Sequence, residues 1–178
     1  VKAALLQGVQ VVFQYKEEEP ITWNYNGIQD YLISESNKVN QNETYWLNLE
    51  EVSTPNQTKF LWNFEQYLKE NNGLGKKGEG LKLSIGFIEE GKKIGQSFVN
   101  LIPTINGGTH ERGLKNALFE GLKSFMEHYN LMPKNLTVEN DDLWQKISFV
   151  LSAKILEPKF QGQTKERLNN IDVPKLVI

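Results

Sequence analysis

The run Leu114-Lys115-Asn116-Ala117-Leu118-Phe119-Glu120-Gly121-Leu122-Lys123-Ser124-Phe125-Met126-Glu127-His128-Tyr129 sets the architecture. Leu114, Ala117, Leu118, Gly121, Leu122, Phe125, Met126 and Tyr129 recur at the helical period, which predicts an amphipathic helix laid against a sheet. Gly107-Gly108 precedes it, and Thr109 stands where an N-cap is expected. Upstream, Leu81 to Glu89 and Gln96 to Thr104 are apolar runs around Glu89-Glu90-Gly91-Lys92-Lys93, the pattern of a β-hairpin with a charged tip. Downstream, Pro133 closes the region and Asn140 is placed to cap a helix through Leu143, Trp144 and Ile147. Ser148 to Leu156 reads as a strand, and Thr164 is placed to cap a last helix that begins Lys165-Glu166-Arg167-Leu168.

Farther from this centre the signals thin. Val9 to Tyr15 is β-branched and aromatic, a strand; Glu17-Glu18-Glu19-Pro20 ends it, and Ile21 to Trp23 is extended. Ile28, Tyr31 and Leu32 predict a short helix over 27–36, and Tyr45, Leu47 and Leu49 alternate as a strand does. Phe60, Leu61, Phe64, Tyr67 and Leu68 favour a helix, with a strand from Thr58 to Phe64 as the alternative. Gly73 to Gly80 reads as a flexible connection. Strands and helices in mixed order give an α+β class: two layers, a mixed β-sheet of about four strands with helices packed on one face.

Composition narrows the chemistry. The 178 residues, with 39% apolar and 11% aromatic content, suit one folded domain. Twenty Lys and Arg against 22 Asp and Glu leave a formal charge of -2, so no global basic field grips nucleic acid. The absence of cysteine excludes disulfides, thiolate metal sites and Cys nucleophiles, and two histidines leave little for a multi-His metal centre; no metal ligands are expected. No apolar run approaches the ~20 residues of a membrane helix, and Val1 to Val12 lacks the basic start and cleavage site of a signal peptide. A cytoplasmic protein without membrane partners is expected, and Asn42, Asn56 and Asn135 are then chance sequons.

Each motif has a plain reading beside a functional one. Gly73-Leu74-Gly75-Lys76-Lys77-Gly78 fits G-x-G-x-x-G, but a strand rather than a helix follows it, so a loop is the better reading. A Ser–His–Asp triad would need His110 or His128, and neither has a nucleophile elbow nearby. Glu89-Glu90 and Asp141-Asp142 read as solvated charge. In Phe160-Gln161-Gly162-Gln163-Thr164-Lys165, a glycine loop runs into the expected helix start, where free N–H groups, the Gln163 amide and the Lys165 amine suit a terminal phosphate. On residues alone a surface lysine on a capped helix leads. Gln57-Thr58-Lys59 repeats the tripeptide elsewhere.

Taken together, Ser97-Phe98-Val99-Asn100-Leu101-Ile102-Pro103-Thr104, Gly107-Gly108-Thr109-His110, Gly113-Leu114, Val150-Leu151-Ser152-Ala153-Lys154 and Pro158 to Leu168 resemble the transducer, the second domain, of bacterial type IIA DNA topoisomerase B subunits. Leu101-Ile102-Pro103-Thr104 is nearer the topoisomerase IV wording than the gyrase wording, with gyrase B as the alternative. The resemblance implies a fragment of an ATP-dependent isomerase that passes one DNA duplex through another, relaxing and decatenating chromosomes. It implies ATP and Mg²⁺ as cofactors, DNA and the A subunit of topoisomerase IV as partners, and a homodimer through the parent subunit. It implies a ribosomal-protein-like fold with a left-handed βαβ crossover, against the usual handedness. It assigns Gln163 and Lys165 to a loop that reaches the ATP γ-phosphate, with Lys165 stabilising its charge. Residues 1–16 would be the end of an upstream Bergerat-type ATPase domain, 17–178 the transducer, and 37–80 an insertion that departs from the family pattern. No Bergerat ATP motif is found in the chain, so the fragment alone is expected to be inactive. A stand-alone interaction domain with no nucleotide role is the contrasting hypothesis; the position of the Gln163–Lys165 loop, at an edge near Val9 to Tyr15 or not, separates the two.

Overall fold

The computed structural model describes residues 6–25, 27–39, 45–46, 61–71, 73–90, 92–132 and 137–176. The sequon asparagines, Leu47 to Leu49, Gln57 to Lys59 and Pro133 lie outside them. The elements in chain order are β1 (Gln10–Phe13), β2 (Ile21–Asn24), α1 (Ile28–Val39), β3 (Tyr45–Trp46), β4 (Leu61–Tyr67), β5 (Gly80–Glu90) and β6 (Gly95–Val99). Then follow β7 (Ile102–Pro103), α2 (Thr109–His128), α3 (Asn140–Trp144), β8 (Ile147–Lys154), β9 (Phe160–Gln161), β10 (Arg167–Leu168) and a 3-10 turn, Val173–Leu176.

A six-stranded mixed sheet is the frame, in the order β3-β5-β8-β6-β7, with β4 beside β3 on the same edge of β5. Its long strands are β4, β5, β8 and β6; β3 and β7 add two residues each. β8 is central because Ile147, Phe149, Val150, Leu151 and Ala153 are apolar on both faces, and all five are buried. That is why the expected hairpin of β5 with β6 does not form. β8 lies between them, antiparallel to β5 and parallel to β6. The real partner of β6 is β7, across a turn in which Asn100 and Leu101 take φ of 49° and 66°, as a two-residue hairpin requires.

Side chains alternate across the sheet. Leu81, Leu83, Ile85, Ile147, Phe149 and Leu151 face Leu114 of α2. Val150, Ile88, Ile94 and Phe98 face Ile28, Tyr31 and Leu32 of α1. The α+β class and mixed sheet stand as expected, and α2 and α3 cover one face; α1 adds a layer on the other.

The unit β6–α2–β8 crosses over left-handedly, as the directions of its interstrand hydrogen bonds show. In a strand drawn upward, a residue whose side chain faces the viewer sends its N–H and C=O to the viewer's right. Viewed from the α2 side, Phe149 and Ala153 face the viewer. The Phe149 N–H donates to Ile94 O (2.8 Å) and the Ala153 O accepts from Asn100 N–H (2.9 Å). β6 therefore lies to the right of β8, and the chain passes in front of the sheet from right to left, the rarer hand.

Local expectations change at several points. Residues 61–67 are a strand, not a helix, since the free edge of β5 pairs with them from Leu61↔Gly86 to Tyr67↔Gly80; tertiary hydrogen bonds overrule the spacing. Gly73 to Gly80 is a tight turn, not a flexible link: Leu68 N–H donates to Glu79 O (2.8 Å) and Gly78 N–H to Leu68 O (2.8 Å). Gly108, not Thr109, caps α2, and the Thr109 hydroxyl is buried with no hydrogen-bond partner. Glu139, not Asn140, caps α3, its N–H donating to Asp142 Oδ2 at 2.9 Å.

Candidate functional site

The expected helix after Thr164 is absent. Arg167 and Leu168 turn back to pair antiparallel with Gln161 and Phe160. The reason is Leu168, fully buried among Val99, Ala153, Ile155 and Val173: a helix from Lys165 could not seat it there while Phe160 stays paired. The anion-binding argument from a helix dipole at this point is thereby lost. What remains is a hairpin tip with Gln163, Thr164 and Lys165 exposed.

The tip is nonetheless held. Its base is clamped where Lys159 N–H donates to Asn170 Oδ1 (2.6 Å), Asn169 N–H to Lys159 O (2.8 Å) and Asn170 Nδ2 to Glu157 O (3.0 Å). Its returning arm is stitched to the segment that opens α2. Asn106 N–H donates to Glu166 O (3.0 Å), Leu168 N–H to Gly107 O (3.1 Å) and Asn106 Nδ2 to Glu166 Oε2 (2.9 Å). Gly108 takes φ 146°, and a Cβ there would fall 2.4 Å from Leu168 O and 2.6 Å from Leu168 N. Only glycine permits that approach. Gly162 (φ 76°) and Lys165 (φ 56°) both lie in the left-handed region, which is unusual for a lysine and aims the tip. Among the described residues Lys165 makes no ion pair.

Behind this segment lies a buried polar chain that the sequence did not announce. His110 Nε2 is 3.0 Å from Thr104 Oγ1, Thr104 Oγ1 is 2.5 Å from Ser97 Oγ, and Ser97 Oγ donates to Glu111 Oε1. Since Ser97 spends its one proton on Glu111, Thr104 must donate to Ser97, and His110 must donate from Nε2. Burial pushes the His110 pKa down to about 4, so the ring is neutral, with Nδ1 buried and unpartnered. Burial also raises the Glu111 carboxyl, against the opposing Ser97 hydrogen bond and Lys93 charge. The imidazole gives a proton toward the hydroxyls rather than taking one, so this is no catalytic triad. Ser97, Thr104, His110 and Glu111 are close in sequence on a strand–turn–helix, and that proximity was the signal available.

Gly73 to Gly78 leads into β5, so the dinucleotide pattern has no helix to complete it. Among the described residues, no group of three or more His, Asp or Glu side chains is placed to hold a metal ion, and no helix is long and apolar enough to cross a membrane.

Known proteins place the fold. The chain is 33% identical over 180 residues to the B subunit of DNA topoisomerase 4 from Pseudomonas aeruginosa, an alignment covering 99% of this chain and 25% of that protein. It therefore spans about a quarter of such relatives. A structure described as the topoisomerase IV ATP-binding domain of Francisella tularensis, in complex with a small-molecule inhibitor, superposes with TM-score 0.67 at 28% identity, covering 99% of this chain and 41% of that one. The 43K ATPase domain of Thermus thermophilus gyrase B gives TM-score 0.68 at 21% identity over 98% of this chain and 42% of that one, a likeness of fold. Residues 27–178 match the DNA gyrase B family, and the chain belongs to that family, the B subunits of type IIA topoisomerases.

Proposed function

We propose that the chain is the transducer part of a B subunit of the topoisomerase IV kind, and that Lys165 and Gln163 contact the terminal phosphate of an ATP held by another module. The observation that carries this reading is the exposed Gln163–Lys165 tip, with Lys165 at φ 56° and its base stitched to the opening of α2. An interior lysine could not reach a ligand outside the domain, and a loose loop would lose entropy on reaching one. The names of the relatives favour topoisomerase IV over gyrase.

ATP fits this chain only as a one-sided contact. Lys165 offers a compact positive charge and Gln163 an amide donor, both open to solvent. When bound, ATP supplies the phosphoryl group whose transfer to water drives the subunit, with Mg²⁺ as its counter-ion. Lys165 stabilises negative charge on the outer oxygens as it builds up, and Gln163 orients them. Loss of that phosphate removes their partner, so the favoured position of the tip shifts. Through the parent subunit, which pairs with a second copy of itself and works with the A subunit of topoisomerase IV, this change biases passage of one DNA duplex through another. Residues 1–16 belong to the end of the ATPase domain in this reading, and 37–80 to an insertion that contributes β4 to the sheet.

The test is Lys165→Ala in the full-length subunit. ATP hydrolysis is expected to fall about 10²- to 10³-fold, the usual effect of removing one preorganised charge-stabilising group. The isolated 178-residue chain is expected to hydrolyse no ATP. Full hydrolysis by the Lys165→Ala variant would return Lys165 to an ordinary surface lysine.

A further inference from the structure

We infer that Asn106 is a positioning residue for Lys165: the segment 106–108 and the arm 166–168 form a latch that fixes where the Lys165 amine stands. The inference rests on the phosphate-contact reading above and deepens it.

The geometry is specific. Lys165 is followed directly by Glu166, whose carbonyl accepts from Asn106 N–H (3.0 Å) and whose carboxylate accepts from Asn106 Nδ2 (2.9 Å). Asn106 thus grips its neighbour at both main chain and side chain. Two residues on, Leu168 N–H donates to Gly107 O (3.1 Å), and Gly108 packs against the Leu168 backbone in a parallel bridge. Among the described residues the loop's other arm, Phe160 to Gly162, has no such backbone grip on the start of α2, so the aim of Lys165 depends on the returning arm. A positive φ at a non-glycine residue persists only where its surroundings impose it; here the latch sits one residue away. Because Gly108 is also the N-cap of α2, a displacement of Glu166 pulls on the start of that helix.

The test exploits the donor–acceptor sense of the side-chain bond, in the full-length subunit. Asn106→Asp sets two carboxylates against each other and should lower kcat for ATP hydrolysis about tenfold, the scale of one charge-assisted hydrogen bond lost. Glu166→Gln keeps an acceptor and should change kcat less than about twofold. Combining Asn106→Asp with Glu166→Gln reverses donor and acceptor, restores the bond and should bring kcat back to within about twofold of the parent. Affinity for ADP, which lacks the outer phosphate, should stay unchanged in all three, while affinity for an imido-bridged ATP analogue falls with kcat. A merely structural role would lower thermal stability and ADP affinity together with kcat; that result overturns the inference. Parent-like kcat in Asn106→Asp, with Lys165→Ala inactive, also overturns the latch but leaves the phosphate reading standing. An active Lys165→Ala variant overturns both.

Discussion

Two loops of this protein share glycine, lysine and glutamate and behave in opposite ways. Gly73 to Gly80 closes the β4–β5 hairpin, and Gly162 to Glu166 closes β9–β10; both mix glycine with lysine. In the first, polar atoms find partners within the fold. Glu79 is 8% exposed, and its carboxylate accepts from Leu156 N–H (2.9 Å) and Lys76 N–H (2.8 Å). Lys76 Nζ lies 2.7 Å from Glu157, which holds the Lys76 pKa up and the Glu157 pKa down. In the second, the hydrogen bonds are confined to the base, and Gln163 to Lys165 face solvent. The loop with the textual phosphate motif is a structural brace. The loop without one keeps its amine available. What separates them is where the polar groups find partners, a property of the fold and not of loop composition.

That contrast can be broken or sharpened by experiment. The largest effect is expected for Gly108→Val, which drives a branched Cβ into the Leu168 backbone at a φ of 146°. A loss of roughly 3 kcal/mol or more is expected in urea unfolding. If the variant were as stable as the parent, the latch would be soft and the two loops alike in how loosely they are held.

Next comes pH. His110 has a folded pKa of about 4 against an unfolded value near 6.5. The unfolded chain therefore binds a proton first as pH falls, and stability drops between about pH 6.5 and 4, by at most about 3 kcal/mol. Glu111, whose carboxyl is raised, works the other way: its folded state holds the proton longer, so its stabilisation is lost as pH rises through its own titration, which flattens the slope above the ordinary carboxylate range. Unfolding midpoints of the parent and His110→Gln across this range should converge at low pH. Parallel curves would show that His110 does not carry the dependence.

Glu79→Ala leaves two backbone N–H groups without acceptors and should lower stability by about 1–3 kcal/mol, read from chemical denaturation. The smallest effect is expected for Lys165→Ala, within about 0.5 kcal/mol of the parent by the same measurement. A larger loss would mean that the tip, like the brace, serves the fold.

The comparison also shows why some of the site was legible and some was not. Gln163 and Lys165 were visible as residue types in order, and Gly107-Gly108 as a break before a helix. The latch was not visible, because Asn106 and Glu166 lie far apart in the chain and their pairing depends on β8 carrying residues 160–168 back beside α2. Residues 61–67 misled for the same reason: a helical spacing says nothing about a free strand edge waiting for a partner.

By itself the order of residues determined the local matters: α1 and α2 from their apolar periods, a strand over Ser148 to Leu156, and the chemistry excluded by a lack of cysteine. The rest was decided in three dimensions. β8 entered between β5 and β6 because a strand apolar on both faces is stable only in the middle of a sheet, and Leu168 made a hairpin of an expected helix because its burial outweighs local preference. Periodicity and capping act over a few residues, whereas strand order and the aim of an exposed amine are set by contacts between segments that meet only after folding.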